Sequence, residues 1–297
     1  MSADTISYVA GGIFGVVAII GICLNTTVLV AMYRGKLFSS KSSPVYILSA
    51  QTILVDTLLL TVHLGYQCPS VMLQSNLFPA PMVPTAMAVL NAIFMYCWYH
   101  NSLSHILVAV NRLFVIVFFR SHVFTRKRTI ILCALQHALA LSLAITSQFL
   151  LPCCDLTYSW VVFSYQYNTK EGIMNYANEY IDLPLNSTSS IVSMICYTVI
   201  IARMHYARLQ TRDMEQVDAT LLHKEYRYAI QFATMAFVYS SAWIFFRIFP
   251  VLIGNTQNLY FYGIITVFAE MNMLTNSTVY LVNNAEIKKS LRTMMTK

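Results

Sequence analysis

The residues of this sequence with catalytic potential are few, and their spacing argues against catalysis. His100 and His105 stand five positions apart, so on a helix they do not share a face, and no second pair of this kind occurs among the seven histidines. A two-metal centre in a membrane enzyme would need several such pairs. The seven cysteines form no CxxC pair and no zinc spacing. We therefore expect no enzyme activity, no metal site and no cofactor.

Polar residues inside apolar stretches are a second kind of candidate. Asp56 lies in the middle of the second apolar stretch, while Asn25 and Asn276 lie in the first and the last. An unpaired carboxylate in hydrocarbon is costly, and ionisable groups there are functional hypotheses by default. We expect these three residues to form a buried polar cluster, either a functional core or simple polar contacts between helices.

The composition indicates the medium in which these residues lie. Of the 297 residues, 57% are hydrophobic and 10% are charged, with a mean hydropathy of +0.59, which excludes a water-soluble domain. The net charge of +7 comes from short clusters between apolar runs and not from one basic face, so we expect no nucleic-acid partner. The first apolar run follows no basic segment and is long enough to span, which favours a retained signal anchor.

Seven apolar stretches meet or approach the length that a membrane-spanning helix needs. A hydrocarbon core of about 30 Å takes about 20 residues in helix, since backbone groups in lipid must be paired within the segment. The predicted spans are 9–33, 45–64, 84–119, 129–151, 180–202, 228–251 and 259–282. The third is too long to lie wholly in lipid, so we expect it to tilt or project. The sequence predicts an all-α membrane protein, a seven-transmembrane helix bundle in one domain.

Lysine and arginine are distributed unevenly between the two sides of this bundle. Clusters follow spans 1, 3, 5 and 7, whereas the opposite side holds only Lys170, and Arg112 and Arg247 lie at span ends. The clustered cations are Arg34, Lys36, Lys41, Arg120, Arg126, Lys127, Arg128, Arg203, Arg208, Arg212, Lys224, Arg227, Lys288, Lys289, Arg292 and Lys297. Because cations are retained in the cytosol during insertion, we expect the amino terminus outside.

A short amphipathic segment follows the last span. In residues 285–296, Ile287, Leu291, Met294 and Met295 fall on one side of a helix and the basic residues on others. Such a helix lies flat on an anionic cytoplasmic leaflet, and a frayed basic tail is the alternative.

Four sequence motifs, in this order and spacing, resemble a known receptor family. They are Val108–Phe114 (VAVNRLF), Pro152–Trp160 (PCCDLTYSW), Tyr180–Asp182 (YID) and Tyr280–Lys289 (YLVNNAEIKK). Together with seven spans, they are similar to the nematode serpentine chemoreceptors of the Srx class, within the rhodopsin-like G protein-coupled receptors. The resemblance covers nearly the whole chain.

This resemblance implies a function. A receptor of this kind binds an external small molecule and signals through a heterotrimeric G protein. It lies in the plasma membrane of a sensory neuron, in its cilia, and pairing with itself or with another receptor stays open. A channel or transporter of small solutes or ions is the alternative.

The resemblance also implies residues for activation. In rhodopsin-like receptors an Asp/Glu-Arg-aromatic triplet ends span 3, and here the triplet is Asn111-Arg112-Leu113. Because Asn cannot titrate, Arg112 needs another partner, such as a carbonyl or the inner end of span 6; an arginine that only reaches the headgroups is the alternative. Near the end of span 7, Asn276 and Tyr280 match an Asn-Pro-x-x-Tyr switch that has lost its proline, and a packing role for Tyr280 is the alternative.

For the ligand, the resemblance points to the outer halves of the spans. The expected pocket residues are Trp98, His105, Asp182, Trp243, Arg247 and Glu270, with Arg247 pairing either with Glu270 or with an acid on the ligand. A disulfide from the top of span 3 is also implied, but the position at that height is Met87. We therefore expect any bridge to join Cys68 to Cys153 or Cys154, with a vicinal or free pair as the alternative.

Overall fold

Long α-helices that run back and forth form most of the protein, whose computed structural model describes residues 3–39, 43–210, 216–253 and 259–296. The helices are α1 Ala3–Arg34, α2 Val45–Val62, α3 Cys68–Leu73, α4 Val83–Ile116, α5 Arg126–Ile145, α6 Leu183–Gln210, α7 Gln216–Ile253, α8 Gly263–Asn283 and α9 Ala285–Met295, and the strands are β1 Leu156–Ser159 and β2 Ser164–Tyr167. Lys41, Arg212 and Lys297, three of the clustered cations, lie outside the described residues.

The predicted seven-helix bundle is confirmed, although one helix is less apolar than the others. Within the described residues, six helices are long and apolar enough to cross a membrane. The seventh, α8, is not among them because Glu270, Asn272 and Asn276 lower its hydropathy, and all three side chains are buried in the bundle. Polar residues of a spanning helix that turn away from lipid are expected where helices meet.

The helix ends differ from the predicted spans. The second span was predicted to end at residue 64, but a π-helical turn, His63–Gln67, joins α2 to α3 and carries the helix on to Leu73. The third span was predicted to reach residue 119, but the helix that forms it, α4, ends at Ile116. Hydropathy marks the length in lipid, whereas backbone hydrogen bonding continues for as long as the residues permit, so the two boundaries need not agree.

Two further π-helical turns lie at the same end of the bundle. They are Thr146–Leu150, which follows α5, and Ala177–Asp182, which leads into α6. A π turn inserts an extra residue and rotates the following side chains, and such turns are frequent at functional sites. Of the polar residues described below, His63 and Asp182 lie on π turns.

The helix α4 is the centre of the bundle, in contact with α2, α5, α6 and α7. The helix α1 packs against α2 and α8, and its Gly21 lies where it contacts both of them. A Cβ at Gly21 would lie 2.7 Å from Leu60 Cδ1 and 3.4 Å from Leu274 Cβ, so a side chain there would push the three helices apart. Small residues at helix contacts allow such close packing in membranes.

The antiparallel hairpin β1–β2, which the sequence did not predict, covers one end of the bundle. Leu156 pairs with Tyr167 and Ser159 with Ser164. The hairpin is held by side chains of the helices: Asn91 Oδ1 accepts from the Tyr158 amide at 3.2 Å, and Thr266 Oγ1 donates to the Phe163 carbonyl at 2.7 Å. Burial raises the pKa of the Tyr158 phenol well above its ordinary value.

We call the end of the bundle that the hairpin covers the hairpin end. The opposite end, where α1 stops and α5 begins, is the basic end.

The predicted amphipathic helix is present as α9 at the basic end. Asn284 caps it, with Oδ1 accepting from the amides of Glu286 at 3.0 Å and Ile287 at 3.1 Å. Ile287 is fully buried, and Ser290 Oγ donates to the Ala31 carbonyl of α1 at 2.8 Å. The helix therefore packs against the bundle through one face.

Candidate functional site

Asp182 is the centre of a polar network at the hairpin end. One carboxylate oxygen accepts from Arg247 Nη2 at 2.7 Å, and the other accepts from Trp98 Nε1 at 3.1 Å and Asn186 Nδ2 at 2.7 Å. Arg247 also donates to Asn178 Oδ1. Arg247 was expected to pair with Glu270 or with a ligand acid, and the structure instead pairs it with Asp182, because the π turn brings Asp182 to face α7.

A small cavity lies beside this network, between the helices and the hairpin. It is lined by His63, Phe94, Met95, Trp98, Leu156, Ser164, Tyr165, Tyr167, Asp182, Ala242, Phe246, Ile265, Thr266 and Ala269, and we call it the hairpin cavity. Its volume is ≈ 20 Å³, which is about the room that one buried water needs. Tyr165 of the hairpin fills much of the space, with its ring centroid 3.6 Å from that of Phe94.

His63 and Glu270 form a fully buried pair next to this cavity. His63 Nδ1 lies 3.0 Å from Glu270 Oε1, and the two side chains are 1% and 0% exposed. Two buried groups that share a proton or opposite charges avoid the cost of an isolated buried charge. Glu270 therefore has a partner, on the π turn that follows α2, that the sequence did not predict.

Of the other expected pocket residues, Trp98 and Asp182 line the hairpin cavity, whereas Trp243 and His105 do not. Trp243 follows the lining residue Ala242 and packs against the hydrophobic core near the hairpin. His105 lies two helical turns beyond Trp98 along α4, about 10 Å toward the basic end. It lines a second cavity and not the one that Trp98 lines.

A chain of side-chain contacts connects the hairpin cavity with the level of His105. Asn186 Oδ1, one turn along α6 from Asp182, accepts from Ser102 Oγ and from the Tyr239 hydroxyl, each at 2.6 Å. The ring of Tyr239 stacks on His105 with a centroid distance of 4.3 Å. Helices α4, α6 and α7 are thereby joined through side chains between the hairpin cavity and the centre of the bundle.

The predicted polar cluster around Asp56 is assembled from four helices. Asp56 Oδ1 accepts from Asn101 Nδ2 at 2.7 Å, and Oδ2 accepts from Asn276 Nδ2 at 2.8 Å. Asn25 does not contact Asp56 directly: its Oδ1 accepts from Ser277 Oγ at 2.5 Å. The carboxylate of Asp56 is fully buried, and both of its oxygens have amide donors.

The second cavity, which we call the core cavity, lies between this cluster and the basic end. It is lined by Ser49, Thr52, Ser104, His105, Val108, Tyr197, Phe232, Met235, Asn276 and Tyr280. The Tyr280 hydroxyl is hydrogen-bonded to Ser49 Oγ, which ties α8 to α2. Asn276 belongs to both the polar cluster and the cavity wall, so the two are continuous.

Arg112 lies buried beyond the core cavity. It is 3% exposed, and its guanidinium carbon lies 4.6 Å from the ring centroid of Phe232 on α7. A desolvated guanidinium over an aromatic ring is a favourable contact. Asn111, its neighbour in the triplet, is buried as well. The ring of Phe232 therefore supplies one contact from the inner end of span 6, as one of the two alternatives expected.

The cysteines at the hairpin end differ from the expected pairing. Cys153 and Cys154 are bonded to each other, and Cys68 is a free, buried thiol. Cys68 begins α3 within the continued second span, and its Sγ lies 3.9 Å from the position of a Cβ on Gly15 of α1. The Cys68 bridge to the loop is therefore wrong in this structure, because the thiol faces α1.

Among the described residues, no group of three or more His, Cys, Asp or Glu side chains is placed to hold a metal.

Comparison with known families decides what this arrangement belongs to. A family model described as "Serpentine type 7TM GPCR chemoreceptor Srx" matches residues 16–284, which is most of the chain. The chain belongs to this Srx chemoreceptor family. The seven helices, the hairpin cavity and the buried arginine of span 3 are therefore parts of a receptor.

The fold of this Srx chain is similar to that of squid rhodopsin. The crystal structure of squid rhodopsin superposes with a TM-score of 0.74 over 99% of this chain and 86% of that chain, at 16% sequence identity. At this identity the likeness concerns the fold alone. No curated protein matches the Srx chain significantly in sequence.

Sequence reasoning missed several residues of the site in this Srx receptor. His63 pairs with Glu270, Asn101 with Asp56, and Asn186 with Asp182. Phe232 covers Arg112. A signal for His63 was available, since a histidine inside an apolar span needs a partner just as a carboxylate does. Phe232 carried no such signal, because a phenylalanine in a spanning helix is ordinary.

Proposed function

We propose that this Srx chain binds an external small molecule in the hairpin cavity and activates a heterotrimeric G protein at the basic end. The observation that carries the proposal is the pair of cavities, which are connected by side-chain contacts and lie between the hairpin and Arg112. A cavity lined by apolar walls with a few polar groups is the usual form of a small-molecule site. Expected partners are the ligand, the G protein and the bilayer.

The orientation and the location are part of this proposal. The clustered cations support a cytosolic basic end and an outer hairpin end, with the amino terminus outside. The membrane is the plasma membrane of a sensory neuron, at its cilia. The chain acts as a single receptor domain, and association with a second copy or with another receptor is open to test.

Arg112 is the residue that we assign to G protein contact, with Asn111 beside it. Its burial under Phe232 corresponds to a resting state, because a guanidinium that is 3% exposed is not accessible to another protein. Movement of α7 away from α4 would uncover it. Tyr280 and Asn276, which line the intervening core cavity, are assigned to the same switch, and Asn25 and Asp56 to its polar core.

Movement of this kind has a route from the ligand site. Asp182 binds Arg247 of α7 and Trp98 of α4 at the hairpin cavity. One helical turn nearer the basic end, Asn186 of α6 accepts a hydrogen bond from Tyr239 of α7. A ligand that binds better when α7 is displaced shifts the population toward the displaced state by its difference in affinity.

The experiment is expression in a cell line with a promiscuous G protein, screened against odorants and small excreted metabolites. We expect ligand-dependent signalling that Arg112→Ala abolishes at equal surface expression. The matched control is Arg120→Ala, which removes an exposed cation of the same loop region. A response that survives Arg112→Ala unchanged contradicts the coupling role. Ion flux through liposomes that contain the purified protein alone would favour a channel and contradict the proposal.

A further inference from the structure

The hairpin cavity has an uneven set of hydrogen-bonding groups, which restricts the ligands that it accepts. Most of its lining is apolar or aromatic. The carboxylate of Asp182, which also lines the cavity, is already paired with Arg247. His63 is different. Its Nδ1 is taken by Glu270, and its Nε2 is buried and has no hydrogen-bond partner among the described residues.

The protonation of the His63–Glu270 pair determines whether Nε2 donates or accepts. If the pair is neutral overall and Glu270 Oε2 carries no proton, one proton is shared between Nδ1 and Glu270 Oε1, and a second remains on Nε2, whichever of the two residues holds the shared proton. Nε2 lacks a proton if the pair carries a net charge of −1, or if the second proton lies on Glu270 Oε2, where the hydroxyl would have no acceptor among the described residues. The latter arrangement also gives up the charge-assisted hydrogen bond that the ionic form of the pair makes. Both side chains are fully buried, so an uncompensated charge there is costly. Nε2–H is therefore a donor.

The charge balance of the cavity excludes charged ligands. His63 with Glu270 and Arg247 with Asp182 each sum to zero, so an amine or a carboxylate would enter without a counter-ion. The cost of desolvating an unpaired ion is several kcal/mol. A ligand that accepts one hydrogen bond and is otherwise apolar meets what the cavity offers.

The position of Tyr165 adds a shape requirement. Its ring stacks on Phe94 and lies 6.3 Å from the ring of His63, so the hairpin itself places an aromatic group beside the free donor. With room for about one water in the closed cavity, a ligand must displace this ring. An aromatic ligand would replace the stacking that Phe94 loses.

We propose that the hairpin cavity selects uncharged aromatic carbonyl compounds, whose oxygen accepts a hydrogen bond from His63 Nε2–H. This inference rests on the proposed function, because it specifies the ligand class of the same cavity. Glu270 is a positioning residue in this scheme: it holds the imidazole and keeps the proton on Nε2, and it does not itself line the cavity.

The test uses four probes with a nearly constant aromatic body: acetophenone, ethylbenzene, 1-phenylethylamine and benzoate. Binding to the purified full-length receptor in nanodiscs is measured by thermal stabilisation, which needs no G protein. We expect acetophenone to bind about tenfold more tightly than ethylbenzene, which corresponds to one net hydrogen bond, and the two ions to bind more weakly than either.

Two variants separate the donor from the fold. His63→Phe keeps an aromatic ring but removes Nε2–H, so acetophenone and ethylbenzene should bind equally. His137→Phe, the same change at a half-buried histidine of α5 outside the cavity, should keep the tenfold preference. If His63→Phe does not fold, the preference of the wild type over the four probes still decides the matter.

The outcomes distinguish this inference from the proposed function. Equal binding of ketone and hydrocarbon to the wild type, or preference for the amine or benzoate, overturns the inference even if other ligands activate a G protein. A ketone preference that His63→Phe leaves intact overturns the role of Nε2. Ketone-selective binding without G protein activation supports the inference and contradicts the coupling function.

Discussion

The guanidinium of Arg112 lies over the ring of Phe232, with 4.6 Å between the guanidinium carbon and the ring centroid. This contact joins span 3, which is α4, to span 6, which is α7. In rhodopsin-like receptors an Asp or Glu before the arginine holds the guanidinium at rest. Here that position is Asn111, which has no charge. The contact depends on a ring and not on a titratable acid. Release of Arg112 from this ring therefore requires α7 to move away from α4.

Replacing the ring should weaken the resting state. Phe232→Leu keeps an apolar side chain but removes the π face, and a desolvated cation–π contact is worth about 2 kcal/mol. We expect ligand-independent nucleotide exchange on a co-expressed G protein to rise about tenfold at equal surface expression. Phe232→Tyr, which retains the ring, should stay near the wild-type rate. An unchanged or lower basal rate in Phe232→Leu would contradict the resting role of this contact.

A second tie between helices is the hydrogen bond from Tyr280 to Ser49. Tyr280→Phe and Ser49→Ala should each lower the free energy of unfolding by about 1 kcal/mol, since each removes the hydrogen bond between these two buried hydroxyls. Because both remove the same bond, the double variant should be little worse than either single one. Thermal unfolding of the purified receptor measures all four species. Additive losses would mean that the two hydroxyls do not interact.

Much of the fold follows from the sequence, because lipid leaves few options for the backbone. Apolar length identifies six of the spans, and the positions of Ile287 and Leu291 at helical spacing predict α9. The polar cluster was predictable for the same reason: a buried Asp56 must find donors, and Asn276 is one of them. These are requirements of each segment by itself.

The pairings within the site depend on rotation of one helix against another, which single segments do not determine. The π turn that contains Asp182 brings that residue to Arg247, while Glu270 is taken by His63. Nothing in the local sequence distinguishes this from the expected Arg247–Glu270 pair. Cys68 is a similar case, since continuation of the second span through a π turn moved it from a loop to a helix contact.

The disulfide assignment is open to direct measurement. We expect a non-reduced proteolytic peptide that contains Cys153 and Cys154 to be lighter by two hydrogen atoms than its reduced form, with Cys68 recovered as a free thiol after denaturation. Cys68→Ala should leave that peptide unchanged. A cross-linked peptide that joins Cys68 to the loop would instead support the pairing expected from the family resemblance.

The Arg247–Asp182 pair gives the sharpest test of the network at the hairpin end. Asp182 is almost fully buried, so Arg247→Ala leaves its carboxylate without a counter-charge. Breaking one side of a buried ion pair costs about 3 kcal/mol, and we expect a clear fall in the melting temperature of the purified receptor.

Adding Asp182→Asn to Arg247→Ala removes the stranded charge. The asparagine oxygen still accepts from Trp98 Nε1, so the double variant should recover most of the lost stability. The control is Glu270→Gln combined with Arg247→Ala, which should recover nothing, because Glu270 is paired with His63 and not with Arg247. Recovery by Glu270→Gln and not by Asp182→Asn would restore the pairing that the sequence alone suggested.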